Sequence, residues 1–295
     1  MDPTHESGRP RVQGGLILLF SAAGFLVFFG GAFATGITSG LRLSISQAAV
    51  VRGSQVAVIL GSLAAALALR KNTRLRPYWR LAFAYFVASC AIVLSDYTGD
   101  WALILSGQAL NTAKGFAALK LGEDAAIIGT IIVLALFTRD DPEELFLSKG
   151  RLGLGLVIGL SSFLFLTVLS LSSTAAQGIR PGRVRELLPA FGLIALADGF
   201  MEELLFRGLF LRRLGRFVGD NWANVVTVAV FTFVHLQVVQ LTASPPAWLT
   251  IVFLLGLLFG WIMQRTGSVL APALFHAGVI MLIIADAFAA FGIKS

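Results

Sequence analysis

Long apolar stretches separated by short polar segments run through the whole chain. Each stretch is close to the ~20 residues that a helix needs to cross the hydrocarbon core of a bilayer. The pattern predicts an all-α fold, a polytopic membrane helix bundle of about eight or nine transmembrane helices. We expect the spans at residues 14–35, 48–69, 79–97, 115–137, 152–173, 187–211, 222–241, 247–264 and 269–290.

Two segments between these spans have their own predicted structure. Residues 101–114 are apolar but interrupted by Gln108, Asn111 and Lys114, which indicates an interfacial or re-entrant helix. Residues 265–268 form a turn before the ninth span. There Gly267 can adopt a positive φ, and Ser268 can cap the helix that follows.

Composition supports a membrane protein and excludes other classes. The chain has 295 residues, of which 57% are hydrophobic and 13% charged, and its mean hydropathy is +0.84. A soluble domain of this size could not bury so much apolar surface. Cys90 is the single cysteine, so a disulfide scaffold is excluded. We attribute the net charge of +7 to loops that set topology, and we expect the lipid bilayer and no nucleic acid as a partner.

Charge in the loops predicts the orientation. Five cations occur within the eleven residues 70–80, after the second predicted span. Cytoplasmic loops are enriched in Lys and Arg, so this loop and the N-terminus are predicted to be cytoplasmic. Residues 1–13 would then be a cytoplasmic tail, residues 14–186 the N-terminal transmembrane helices, and residues 187–290 a C-terminal helix core.

Ionisable residues inside predicted spans mark the candidate site. Each costs about 2.5–3.5 kcal/mol on insertion scales, so each needs a reason. Five of them occur on three late spans: Glu202, Glu203, Arg207, His235 and His276. A structural bundle has less costly polar contacts in Ser, Thr and Gly, which favours a functional site.

Helical spacing assigns different roles to the acids. Glu203 and Arg207 are four residues apart and can form an ion pair on one face. Asp198 and Glu202 share a neighbouring face, where two carboxylates repel each other. Glu203 is therefore predicted to be structural, and Glu202 to be available for chemistry.

Two chemistries suit Glu202, His235 and His276. One is general-base catalysis, in which Glu202 and a histidine take a proton from water. The other is metal-assisted hydrolysis, because two histidines and one carboxylate form a common catalytic zinc site. Neither a His-Glu-x-x-His motif nor a Gly-x-Ser-x-Gly motif is present, so a standard zincin and a serine hydrolase are both unsupported.

Three motifs in this region resemble those of a known family. They are Glu202-Glu203-x-x-x-Arg207, Phe231-x-x-x-His235, and a segment that runs from Gly260 through Thr266-Gly267-Ser268 to Pro272-x-x-x-His276. The chain thereby resembles, over about residues 187–285, the CAAX protease and bacteriocin-processing (CPBP, or Abi) family of intramembrane proteases. That family includes the eukaryotic prenyl-protein endoproteases.

The resemblance implies an intramembrane endopeptidase that cleaves a peptide or a membrane-anchored protein. By analogy, Glu202 would activate water with assistance from His235, and His276 would help to bind the oxyanion. Glu203 and Arg207 would support them. Zinc bound by Glu202, His235 and His276 is the alternative, and we favour the mechanism that requires no cofactor.

One position departs from the family pattern. The third motif usually continues as His-x-x-x-Asn, whereas this chain has Ile280 at the Asn position. Isoleucine cannot donate a hydrogen bond, and loss of an oxyanion donor costs about 10²–10³ in rate. This leaves three alternatives. Another group supplies the hydrogen bond, the proteolytic activity is weak, or the chain is a scaffold that holds other membrane proteins. A proton or cation transporter is less favoured, because transporters often have two related halves and this chain concentrates its charges in its C-terminal third.

Overall fold

A computed structural model describes residues 9–36, 45–176, 181–237 and 244–291. These residues form helices and turns, and no strand occurs among them. Five helices in the described ranges are long and apolar enough to cross a membrane: Val50–Lys71, Arg76–Ser106, Ala113–Thr138, Leu152–Ala176 and Pro245–Thr266. The all-α class and the helical membrane bundle are therefore confirmed. The count of eight or nine spans stays a prediction.

The chain divides into two compact units that are discontinuous in sequence. The first unit comprises Met1–Val93 and Leu209–Trp261. It contains α1 (Arg9–Gly36), α2 (Ile45–Lys71), the start of α3 (Trp79–Ser106), α7 (Leu211–Val218), α8 (Asp220–Val234) and most of α9 (Pro245–Thr266).

Aromatic contacts hold the helices of the first unit together. The rings of Phe25 on α1 and Phe233 on α8 pack edge to face at 4.6 Å between centroids. The Tyr85 hydroxyl on α3 donates a 2.8 Å hydrogen bond to the Phe20 carbonyl on α1. Gly24 lets α1 approach α8, because a Cβ at this position would lie 2.7 Å from a methyl group of Val230.

The second unit comprises Leu94–Gly208 and Ile262–Ser295. It contains the end of α3, α4 (Ala113–Thr138), α5 (Leu152–Ala176), α6 (Pro181–Glu202) and α10 (Leu270–Phe291). Helix α10 packs against both α5 and α6. Glycines permit the close approach to α5, since a Cβ at Gly278 would lie 3.0 Å from the Phe163 Cα.

The predicted interfacial helix at residues 101–114 is wrong. Helix α3 continues through Asp96 and Asp100 to Ser106, where Gly107 ends it with a φ of +62°. The chain then turns, and Thr112 caps α4 by accepting a hydrogen bond from the Gly115 amide. The helix therefore ends at Ser106 rather than at residue 97, and both aspartates lie within it.

The predicted sixth span, residues 187–211, is not one α-helix. Helix α6 changes into a π-helical segment at Glu203–Gly208, and α7 begins after a turn at Leu211. The predicted seventh span, residues 222–241, corresponds to α8 and a single 3-10 turn at His235–Gln237. Its last residues, 238–241, lie outside the described ranges.

The turn before α10 has the predicted conformation. Gly267 has a φ of +70°, and the Thr266 hydroxyl donates to the Ile262 carbonyl at 2.8 Å. The segment after α4 holds this turn: the Arg151 amide donates to the Thr266 carbonyl at 2.7 Å, and the Ser148 hydroxyl donates to the Gly267 carbonyl. The start of α10, and with it the helix that carries His276, is thereby fixed.

Candidate functional site

Glu203 and Arg207 lie in the π-helical segment Glu203–Gly208, whose six residues are all buried. Such segments are rare within helices and occur frequently at functional sites, because the wider turn displaces side chains from their α-helical positions. The Arg207 guanidinium donates to Glu203 Oε1 at 3.0 Å, and both side chains are 0% exposed. The ion pair expected from the spacing of these residues is present.

His276 brings α10 to the same acids. Its Nδ1 lies 3.0 Å from Glu203 Oε1, and its Nε2 lies 3.4 Å from Glu202 Oε2. A carboxylate only accepts, so Nδ1–H donates to Glu203 and Nε2 is the ring atom that faces Glu202. The imidazole therefore lies between the two carboxylates.

The side chains of the two glutamates differ in their exposure. The side chain of Glu203 is fully buried, whereas that of Glu202 is 21% exposed. Glu203 already accepts hydrogen bonds from Arg207 and His276 through one oxygen. Glu202 is therefore the more accessible of the two carboxylates, although its Oε2, which faces His276, is buried.

Gly199 explains how α6 and α10 come close enough for these contacts. A Cβ on Gly199 would lie 2.8 Å from the Ala277 amide nitrogen and 2.9 Å from the Ala273 carbonyl oxygen. Both atoms belong to the backbone of α10, so neither can move without the helix. Gly199 precedes Glu203 by one helical turn, and Ala273 and Ala277 flank His276, so this contact sets the distance between the acids and the histidine.

His235 belongs to the first unit, at the end of α8. Its Nδ1 lies 2.9 Å from the Phe231 carbonyl oxygen, and its ring packs on the Phe231 ring at 4.4 Å between centroids. Because the carbonyl accepts from Nδ1–H, Nε2 is the nitrogen left for chemistry. The convergence of His235 with Glu202 and His276 stays a prediction.

Ile280 has apolar surroundings. One turn after His276, its half-buried side chain packs against a cluster of buried residues on α4, α6 and α10. That cluster includes Ala117, Phe191 and Met281. The position that would carry an amide in the family motif is thus part of the helix contact.

The sequence interpretation missed Lys120. Its Nζ on α4 lies 3.1 Å from Glu123 Oε2 and 3.1 Å from Asp198 Oδ1 on α6. Asp198, which the spacing placed against Glu202, therefore has a cation as its neighbour. The sequence contained a signal for the pair with Glu123 alone, because Lys120 precedes Glu123 by three residues within a predicted span.

The donors in the described ranges do not form a metal site. No group of three or more His, Cys, Asp or Glu side chains is arranged there to hold a metal ion. Glu203 accepts hydrogen bonds from Arg207 and from His276 Nδ1. Zinc binding by Glu202, His235 and His276 stays a prediction.

One region of the chain is similar to a known protein family. Residues 184–282 match the family model described as type II CAAX prenyl endopeptidase Rce1-like. The match covers about a third of the chain and includes all three motifs. Searches of curated proteins and of solved structures found no match. The resemblance inferred from the motifs is confirmed, and at the level of the family it supports a CAAX-type protease in the membrane.

Proposed function

We propose that the protein is an intramembrane endopeptidase that cleaves a peptide or a membrane-anchored protein with an activated water molecule. The observation that carries the proposal is the position of His276, between the buried Glu203 and the accessible Glu202. The family match over residues 184–282 supports the same reaction class. The five apolar helices support an integral membrane protein.

The proposed reaction uses Glu202 as the general base. Glu202 takes a proton from water as the water oxygen bonds to the scissile carbonyl carbon. The C–N bond then breaks, and the leaving nitrogen receives the proton that Glu202 holds. His276 presents Nε2 on the Glu202 side. Unprotonated, Nε2 accepts a hydrogen bond from the water; as an imidazolium it donates to the oxyanion. We expect His235 to assist Glu202 in activating the water, through its own Nε2.

Glu203 and Arg207 are assigned a positioning role. Arg207 neutralises Glu203, and Glu203 holds the Nδ1 side of His276, so the imidazole has one fixed orientation. A histidine held in this way presents the same nitrogen to each substrate. The pair does not itself need to contact the substrate.

The test is peptide cleavage by purified protein in lipid nanodiscs. The substrates are fluorogenic peptides with and without a C-terminal prenylated cysteine. Wild-type protein should cleave at least one of them, and Glu202→Gln, which keeps the size of the side chain and removes the base, should lower turnover by at least a hundredfold. Glu186→Gln is the matched control, because Glu186 is an exposed glutamate on the same helix. Cleavage should persist in a strong chelator; loss that zinc restores would favour the metal-assisted reaction instead.

A scaffold that holds other membrane proteins is the second candidate, and the apolar surroundings of Ile280 favour it. The two functions differ in their dependence on Glu202. If the protein is a scaffold, the Glu202→Ala variant should complement a deletion strain. If it is a protease, that variant should not. Full complementation by that variant, together with no cleavage by wild-type protein, would exclude the protease.

A further inference from the structure

The connection between α2 and α3 carries the densest group of positive charges in the chain. We call residues 70–80 the basic loop. Its cations are Arg70, Lys71, Arg74, Arg76 and Arg80. No Asp or Glu occurs between Glu6 and Asp96, so the neighbouring sequence supplies no balancing anion. The first four of these side chains are exposed.

The basic loop has a defined conformation. The Asn72 side-chain oxygen accepts hydrogen bonds from the amides of Arg74 and Leu75 at 3.0 and 3.2 Å. A 3-10 turn follows at Arg76–Tyr78, and the Tyr78 ring stacks on Phe217 of α7 at 4.5 Å. Setting topology requires only the presence of charge, whereas these contacts also fix the conformation of the backbone that carries the cations.

The loop lies where two apolar helices end. Val50–Lys71 and the helical stretch Arg76–Ser106 are both candidate spans, and only 11% of the apolar window of the first is buried. The guanidinium carbons of Arg70 and Arg80 lie 5.3 and 5.6 Å from the centre of the Trp79 ring. Tryptophan at the end of a span is typical of the headgroup level of a bilayer.

We propose that the basic loop binds the phosphate groups of anionic phospholipids whose acyl chains lie along the exposed face of α2. Arginine binds phosphate through charge-assisted hydrogen bonds, and each Lys or Arg near an anionic membrane contributes about a fivefold gain in affinity. The exposed side chains of Leu60 and Leu67 on α2 provide the apolar surface for the chains. The proposal does not depend on proteolysis.

The test is lipid titration of the full chain purified in neutral detergent, with the melting temperature as the readout. Phosphatidylglycerol should raise it, and phosphatidylcholine with the same acyl chains should not. The triple variant Arg70→Gln, Arg74→Gln, Arg76→Gln should bind phosphatidylglycerol on the order of a hundredfold more weakly. The matched control is Lys114→Gln, Lys149→Gln, Arg151→Gln, which removes three exposed cations elsewhere and should bind like wild-type protein.

Two further arms keep the proposal falsifiable even if the triple variant does not fold. In wild-type protein, 0.5 M salt should weaken the phosphatidylglycerol effect, because salt screens exposed charges. Inorganic phosphate at the same concentration should have no effect. Equal shifts with both lipids, a salt-independent shift, or reproduction of the shift by inorganic phosphate would each overturn the proposal. So would equal binding by the triple variant and its control.

Discussion

Glu203 Oε1 accepts two hydrogen bonds within a fully buried environment, one from Arg207 and one from His276. Loss of Arg207 would leave the carboxylate without its cation, and breaking a buried ion pair in this way costs about 3–5 kcal/mol. Arg207→Ala should therefore strongly lower the melting temperature. The exposed Arg185 on α6 is the matched control, and Arg185→Ala should change the melting temperature little.

A double variant separates the charge from the packing. Glu203→Gln combined with Arg207→Met removes both charges and keeps similar volumes, so it should recover part of the lost stability. Normal expression and stability of Arg207→Ala alone would contradict the assignment of this pair to the support of the site.

A substitution at Ile280 tests whether the site lacks a hydrogen-bond donor to the oxyanion. If Asn at this position supplies the absent amide, Ile280→Asn should raise turnover by up to about a hundredfold, or about 2.7 kcal/mol in activation free energy. The same change places an amide against an apolar cluster, so the melting temperature should fall.

Cleavage rates and melting temperatures of Ile280→Asn should be compared with those of Ile280→Leu, which keeps the apolar contact and cannot donate. A rate increase in the Asn variant alone supports a missing donor. Unchanged or lower turnover in the Asn variant, in protein that remains folded, would show that another group already serves as the donor.

At the residue scale, charge and spacing predicted the Glu203–Arg207 pair because both partners lie on one helix, where the distance is set by the helix itself. The contact between Lys120 and Asp198 was not predictable in the same way. Its partners lie on α4 and α6, and only the packing of those helices brings them together. For the same reason, the convergence of His235 with Glu202 and His276 stays a prediction.

At the element scale, Gly199 controls the distance between α6 and α10. A methyl group there would meet backbone atoms of α10 at 2.8 and 2.9 Å, which side-chain motion cannot relieve. Gly199→Ala should therefore separate the helices, displace His276 from Glu202 and Glu203, and lower both stability and turnover.

Gly192 provides the control on the same helix. A Cβ at Gly192 has no heavy atom within 4 Å, so Gly192→Ala should be neutral or stabilising by up to about 1 kcal/mol. Melting temperature and cleavage rate would be measured for both variants. Equal behaviour of the two would show that the close approach at Gly199 does not matter for the site.

Apolar length predicted whole helices well and their interruptions poorly. The predicted spans at residues 115–137, 152–173 and 247–264 correspond to α4, α5 and α9 within a few residues. The π-helical segment at Glu203–Gly208 was not predicted, because its residues are as apolar and as helix-compatible as those before it. The buried Glu203–Arg207 pair does not mark the change either, because charges four residues apart also pair in an ordinary α-helix.

At the scale of the whole molecule, the direction in which α3 crosses the membrane tests the predicted orientation. The five cations of the basic loop precede or begin this helix, and Asp96 and Asp100 lie near its other end. Because cytoplasmic loops are enriched in Lys and Arg, the basic loop should face the cytoplasm and residues 107–112 the opposite side. Because one helix, α3, separates the basic loop from residues 107–112, labelling both loops tests whether that helix crosses the bilayer.

The measurement uses single cysteines in a Cys90→Ser background, which has no other thiol. Thr73→Cys tests the basic loop and Gln108→Cys tests the loop after α3, and both positions are exposed. A membrane-impermeant maleimide added to intact cells should label Gln108→Cys at once, whereas Thr73→Cys should react only after lysis. The reverse result would place the N-terminus outside the cytoplasm, and labelling of both in intact cells would show that α3 does not cross the bilayer.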